Sequence, residues 1–270
     1  MSEIQYYEFL AADRPLSRAQ QAEIREFDKG ATITATRFSV EYNHRELGAD
    51  PAYLMHHYYD AHLYSANFGS RRIMLKLPCT ALDPDTAVQY CVPQRVSVST
   101  EGEHVLLDLV SEDFEREHED ADGEGECTLE DIARVRDEIA AGDLRSLYLA
   151  WLAAYGEWER DESIFEYEDE DIVEPPVPAG LDELTGAQQA LATFLRLDDD
   201  LLTVASQAAP DDPAALAATI KGMPEAEKDR LLLAVASGQA EPARRALLRR
   251  TDPPRRTVGE LLDAAATLRD

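Results

Sequence analysis

Cysteine is scarce in this chain, and its three residues, Cys79, Cys91 and Cys127, are odd in number and form no CxxC pair. That argues against a disulfide framework and a structural zinc site, and makes a reducing cytoplasm the expected location. Long apolar runs are missing too: nothing approaches the roughly 18 residues a membrane-spanning helix needs. The opening MSEIQYYEF has no basic patch leading into an apolar segment, so no signal peptide is expected. Cationic charge is in short supply, with 26 Lys and Arg against 54 Asp and Glu, a net charge of −28. Such a field repels nucleic acid and anionic membrane, leaving at most a local patch for either. The sequence also lacks GxxxxGK[ST], GxGxxG after a strand, GxSxG and HExxH. No cysteine has the context of a nucleophile. An enzyme on this chain would have to assemble its site from scattered residues, and no cofactor or metal is expected.

What is present suffices for a real core. Hydrophobic residues make up 44% of 270, enough for one large domain or two ordinary ones. Charge is unevenly spread. Residues 1–110 carry 10 basic against 15 acidic groups, residues 111–174 carry 5 against 24, and residues 175–270 carry 11 against 15. Two nearly balanced ends therefore flank an acidic middle.

The stretch Asp50 to Pro78 organises the first part. Asp50-Pro51 is a helix start, an acceptor cap followed by a proline suited to the first turn. Leu54, Met55, Tyr58, Tyr59, His62, Leu63 and Ala66 then share a stripe at helical spacing, predicting a helix over 54–66 that lies on a sheet. Asn67-Phe68-Gly69 ends it, and Arg72 to Pro78 alternates as a strand. Before it, Gln5–Ala11 reads as a strand, Ser17 with Gln20 as a capping box, and Thr32–Tyr42 as one long strand. After it come a short helix from Asp83-Pro84 and a hairpin, 95–99 with 104–110, across Thr100-Glu101-Gly102. Together these predict an α+β domain over 1–160: a mixed or antiparallel sheet with helices mainly on one face.

Glu112–Glu126 reads as a solvated acidic loop. LRSLYLAWLAAYGEW, apolar almost all round, predicts a buried helix placed as a second cover on the sheet. The acidic run Glu166–Glu174 and the extended Pro175-Pro176-Val177-Pro178 predict a linker over 161–180. From 181 to 270 six short helices are expected, a small all-α module with no clean repeat.

Several constellations could carry chemistry. On the predicted helix, Asp60 lies within reach of His56 and His57, with Tyr53 and Tyr64 flanking. A carboxylate orienting an imidazole suits a general base or a metal site lacking its third ligand. The plain alternative is a hydrogen-bonded surface patch. His62 falls in the apolar stripe and reads as a neutral core histidine with one partner. Arg71 and Arg72 offer paired donors for a carboxylate or phosphate, or ion pairs with a neighbouring strand. Arg244, Arg245, Arg249, Arg250, Arg255 and Arg256 form the one basic cluster. Without interleaved aromatics it suits the chain's own acidic middle or an acidic partner better than nucleic acid. The acidic runs read as linkers first. A docking segment, or a nucleic-acid mimic built on Glu166, Glu168, Asp169, Glu170 and Asp171, is the alternative.

The stretches YYEFLAADRPLS, DPAYLMHHYYDAHLYSANFGSRRIMLKLP, IAAGDLRSLYLAWLAA and PPVPAGLDELTGAQQALATFLR resemble a family of bacterial proteins with no assigned activity. The resemblance implies no role for any residue. The sequence thus predicts a non-catalytic cytoplasmic interaction or regulatory protein with an unidentified protein partner. An enzyme or metal-dependent site on His56, His57 and Asp60 is the alternative.

Overall fold

A computed structural model describes residues 3–113, 127–156, 172–207, 213–237, 243, 247 and 255–269. Among them seven strands form one sheet: β1 (Ile4–Leu10), β2 (Thr32–Ile33), β3 (Arg37–Asn43), β4 (Ala61–Ala66), β5 (Ser70–Pro78), β6 (Val96–Glu101) and β7 (His104–Glu112). Their order is β2-β3-β1-β4-β5-β7-β6, and every ladder is antiparallel. The α+β class expected from the sequence is therefore observed.

Strand alternation sends two rows of side chains to opposite faces. On one face Phe9, Phe38, Val40 and Met74 meet Ile24 of α1 (Arg18–Phe27) and Leu54 and Met55 of α2 (Pro51–His57). On the other, Leu63, Ile73, Leu75, Leu107 and Leu109 meet a thicker helical layer. It contains α4 (Leu129–Ala133), α5 (Val135–Ala140) and α6 (Arg145–Gly156), while α3 (Pro84–Ala87) adds Ala87 beside the β6 edge. Helices thus cover both faces, where they were expected mainly on one. Residues Ser146 to Gly156 of α6 are all buried, which suits a Leu- and Ala-rich segment without β-branched side chains.

The predicted 54–66 helix is corrected. The helix stops at His57, Tyr58 is its C-cap, and the chain bends at Asp60 into β4. β4 lies between β1 and β5 and is buried on both faces, so its apolar residues extend the helical stripe by coincidence. Asn67-Phe68-Gly69 is instead the turn of the β4–β5 hairpin, with Gly69 at φ 91°, a conformation that glycine adopts without a Cβ clash. The long strand 32–42 is also two strands. Thr34 Oγ1 accepts from the amides of Thr36 and Arg37, turning the chain between β2 and β3.

From Gly186 onward the described residues are mainly helical, with α7 (Gly186–Phe194), α8 (Asp199–Ser206), α9 (Pro213–Gly222), α10 (Glu225–Ala236) and α11 (Val258–Arg269). The helix expected over 242–250 lies largely outside the described residues. Leu191, Leu201, Val204, Leu261 and Ala265 belong to the same apolar cluster as α6 and the sheet. The described part of the expected linker, 172–180, is extended but packed: Pro175 and Val177 are buried, and Tyr90 donates to the Pro176 carbonyl. Glu174 is buried as well, taking two hydrogen bonds from Arg256 and one from Tyr148. At this pair the basic cluster does meet the acidic segment. The acidic loop over 114–126 and the run 166–171 lie outside the described residues.

Candidate ligand cleft

On the α1/α2 face the helices cover only part of the sheet, leaving a cleft of about 630 Å³. Its floor is a register row, Tyr7 of β1 opposite Tyr64 of β4, Tyr64 opposite Arg72 of β5, and Arg72 opposite Val110 of β7. Its wall is the loop from Glu46 to Asp50 with Pro51. Gly48 lets that loop press on the end of α1, where a Cβ would stand 2.7 Å from the Phe27 carbonyl oxygen.

Tyr7 and Tyr64 stand with ring centroids 4.7 Å apart, and both hydroxyls donate to Gln5 Oε1 at 3.0 Å. Beside them lies His62, fully buried and stacked 4.0 Å from the Phe9 ring. Its Nδ1 is 2.8 Å from the Glu8 carbonyl oxygen. A carbonyl only accepts, so Nδ1 carries the proton and Nε2 presents a lone pair. Nε2 is buried without a protein partner, in a residue that lines the cleft. Burial pushes this imidazole down to about 3, with the Arg72 charge adding to the shift and the Glu8 carbonyl opposing it. It is neutral at physiological pH. Burial also raises both tyrosines, so neither ionises near neutrality.

Arg72 is committed elsewhere. Its Nε and Nη2 each donate to one oxygen of Asp108 at 2.7 Å, a two-point ion pair across adjacent strands. Glu112 likewise accepts from Arg95 at 2.8 Å. Asp50 caps α2 through the Ala52 amide, and Glu46 makes no ion pair among the described residues.

The other residues singled out in the sequence are dispersed. Tyr64 and Arg72 line the cleft, but Arg71 points to the opposite face, where its Nη1 donates to the Phe194 carbonyl and its guanidinium lies over the Phe194 ring. Strand alternation therefore separates the two guanidiniums. His56, His57 and Asp60 are not one constellation, which corrects the helical geometry. His56 Nδ1 stands 3.0 Å from Glu101, His57 stacks on the exposed Tyr53, and Asp60 pairs with Lys76 and accepts from the Asp13 amide. Among the described residues no three His, Cys, Asp or Glu side chains stand close enough to hold a metal. Arg244, Arg245, Arg249 and Arg250 lie outside the described residues. Among the described residues no helix is long and apolar enough to cross a membrane.

Sequence reasoning missed Tyr7, Glu46 and the unpartnered Nε2 of His62. The available signal was the alternation Gln5, Tyr7, Phe9 and His62, Tyr64, Ala66, which puts polar tips and rings on one sheet face. Comparison with known proteins adds no family to this geometry: no family model, curated protein or solved structure matches the chain.

Proposed function

We propose that the protein is a non-catalytic cytoplasmic recognition protein whose α+β part holds a small ligand in the sheet cleft. The supporting observation is the state of its polar groups. An acid–base catalyst works best with a pKa near the operating pH. Here the imidazole is pushed far below neutrality and the phenols above it, by burial that leaves them neutral donors and acceptors. The cleft volume falls in the range of small-molecule sites, roughly 300–1,000 Å³. Titration with aromatic fragments of either charge, followed by NMR of the tyrosine and histidine rings, tests this. Saturable shifts at Tyr7, Tyr64 and His62, with the fragment recovered intact, are expected. Fragment turnover that disappears in His62→Gln would replace recognition by catalysis.

A protein partner is the second reading, with residues 181–270 as its small all-α part. It rests on α10, which buries none of its residues and leaves Leu232 and Leu233 each 67% exposed. The arginine cluster and the acidic segment over 161–171 would add salt-sensitive contacts. Affinity capture from the native cell at low and high salt, compared with Leu232→Ser/Leu233→Ser, tests it. A partner retained equally by the variant would end this reading.

A further inference from the structure

The cleft's charge and hydrogen-bonding pattern restrict what it can hold. Four carboxylates, Glu46, Asp50, Asp108 and Glu112, stand in or beside it against two guanidiniums, Arg72 and Arg95. Each guanidinium already donates to one of those carboxylates, so neither offers an anion a ready two-point clamp. The net charge of −28 further opposes an anion on approach.

The vacant hydrogen-bonding position is of the opposite kind. His62 Nε2 is a fully buried lone pair, and a buried acceptor left without a donor carries an uncompensated desolvation penalty. A ligand N–H would remove it. Tyr7 and Tyr64 line the cleft with aromatic rings whose π systems attract cations, and their own hydroxyls are already turned to Gln5. Leu47, Ala49, Pro51 and Val110 supply the apolar remainder of the lining.

We infer that the cleft binds a small organic cation, an amine or amidine on a compact aromatic or apolar body. Its N–H groups donate to His62 Nε2 and its charge rests between the tyrosine rings and Glu46. This rests on the reading of the cleft as a recognition site and specifies its ligand class.

The test uses three isosteric probes, benzamidine, benzamide and benzoate, titrated into the full chain by calorimetry and by NMR of the tyrosine rings. Benzamidine should saturate, benzamide bind more weakly and benzoate weakest. Glu46→Gln, at an exposed position, should weaken benzamidine by about fivefold, the scale of one partly solvated charge contact. It should leave the melting temperature unchanged. His62→Gln keeps a side chain that can donate to the Glu8 carbonyl but replaces the imidazole Nε2 lone pair with an amide oxygen in a different position, and should also weaken benzamidine. Benzoate binding as tightly as benzamidine, or benzamidine indifferent to Glu46→Gln, overturns the cation assignment while recognition stands. Failure of all three probes to move the tyrosine signals removes the recognition reading and this inference with it.

Discussion

His62 shows how one residue's surroundings set its chemistry. Its neighbours fix a tautomer and its burial fixes a charge state, so it is an acceptor at every pH the cell offers. That choice has a thermodynamic signature. The folded imidazole titrates at about 3, below its ordinary 6.5. Between those values the unfolded chain binds a proton that the folded chain refuses. Stability supplied by this residue is therefore complete above pH 6.5 and declines as the pH falls toward 3. From pH 6.5 to 5.5, above the range where carboxylates titrate, His62 should remove about 1 kcal/mol. Urea unfolding at the two pH values should show that loss in the wild type and not in His62→Gln. The exposed histidines contribute equally to both proteins. An identical loss in the two would mean that water reaches Nε2 and that the imidazole titrates normally.

At the scale of elements, the junction between α2 and β4 decides where the cleft lies. Asp60 turns the chain there, accepting from the Asp13 amide at 2.9 Å and pairing with Lys76 at 3.2 Å. Lys76 is only 9% exposed and otherwise donates to the Met55 carbonyl. Asp60→Asn preserves the acceptor for Asp13 but leaves a buried ammonium without its countercharge, a loss of roughly 3 kcal/mol. Chemical denaturation should show it as a lower midpoint with unchanged helical circular dichroism. A neutral effect would mean that the pair is solvated. This junction is also where the sequence misleads. Ser17 and Asp50 announce helix starts because a cap is a local contact, and both accept hydrogen bonds as their chemistry requires. The Glu101-Gly102 hairpin is legible for the same reason. Where α2 ends is not local. It is set by β1 and β5 claiming residues 61–66 from either side, and because β4 is largely buried on both faces its alternation is too weak to override the helical stripe. The cleft inherits that blindness, since Tyr7, Tyr64 and Arg72 become neighbours only through strand register.

At the scale of the whole molecule, the question is whether the helices after 181 unfold apart from the sheet, as an acidic leash between two modules requires. Two observations bear on it. Leu191, Leu201, Val204 and Leu261 share one apolar cluster with Trp151 of α6 and Leu75 of β5. The Glu174 carboxylate, buried beside Tyr148 of α6, is neutralised by Arg256 just before α11. Removing Arg256 leaves that carboxylate uncompensated, a penalty of roughly 3–5 kcal/mol for a fully buried pair and less here because Arg256 is one-quarter exposed. Because the pair touches α6, which lies against β7, the loss should be felt by the sheet as well as by the helices. Arg256→Met should lower the unfolding midpoint equally whether it is followed by far-ultraviolet circular dichroism or by near-ultraviolet signals from Trp151 and the buried tyrosines. Glu174→Gln on the Arg256→Met background should restore part of the stability, since it removes the stranded charge. If instead the helical signal were lost first while the tyrosine signals of the sheet persisted, the two parts would be separable. The shared cluster would then be an interface between domains and not a common core.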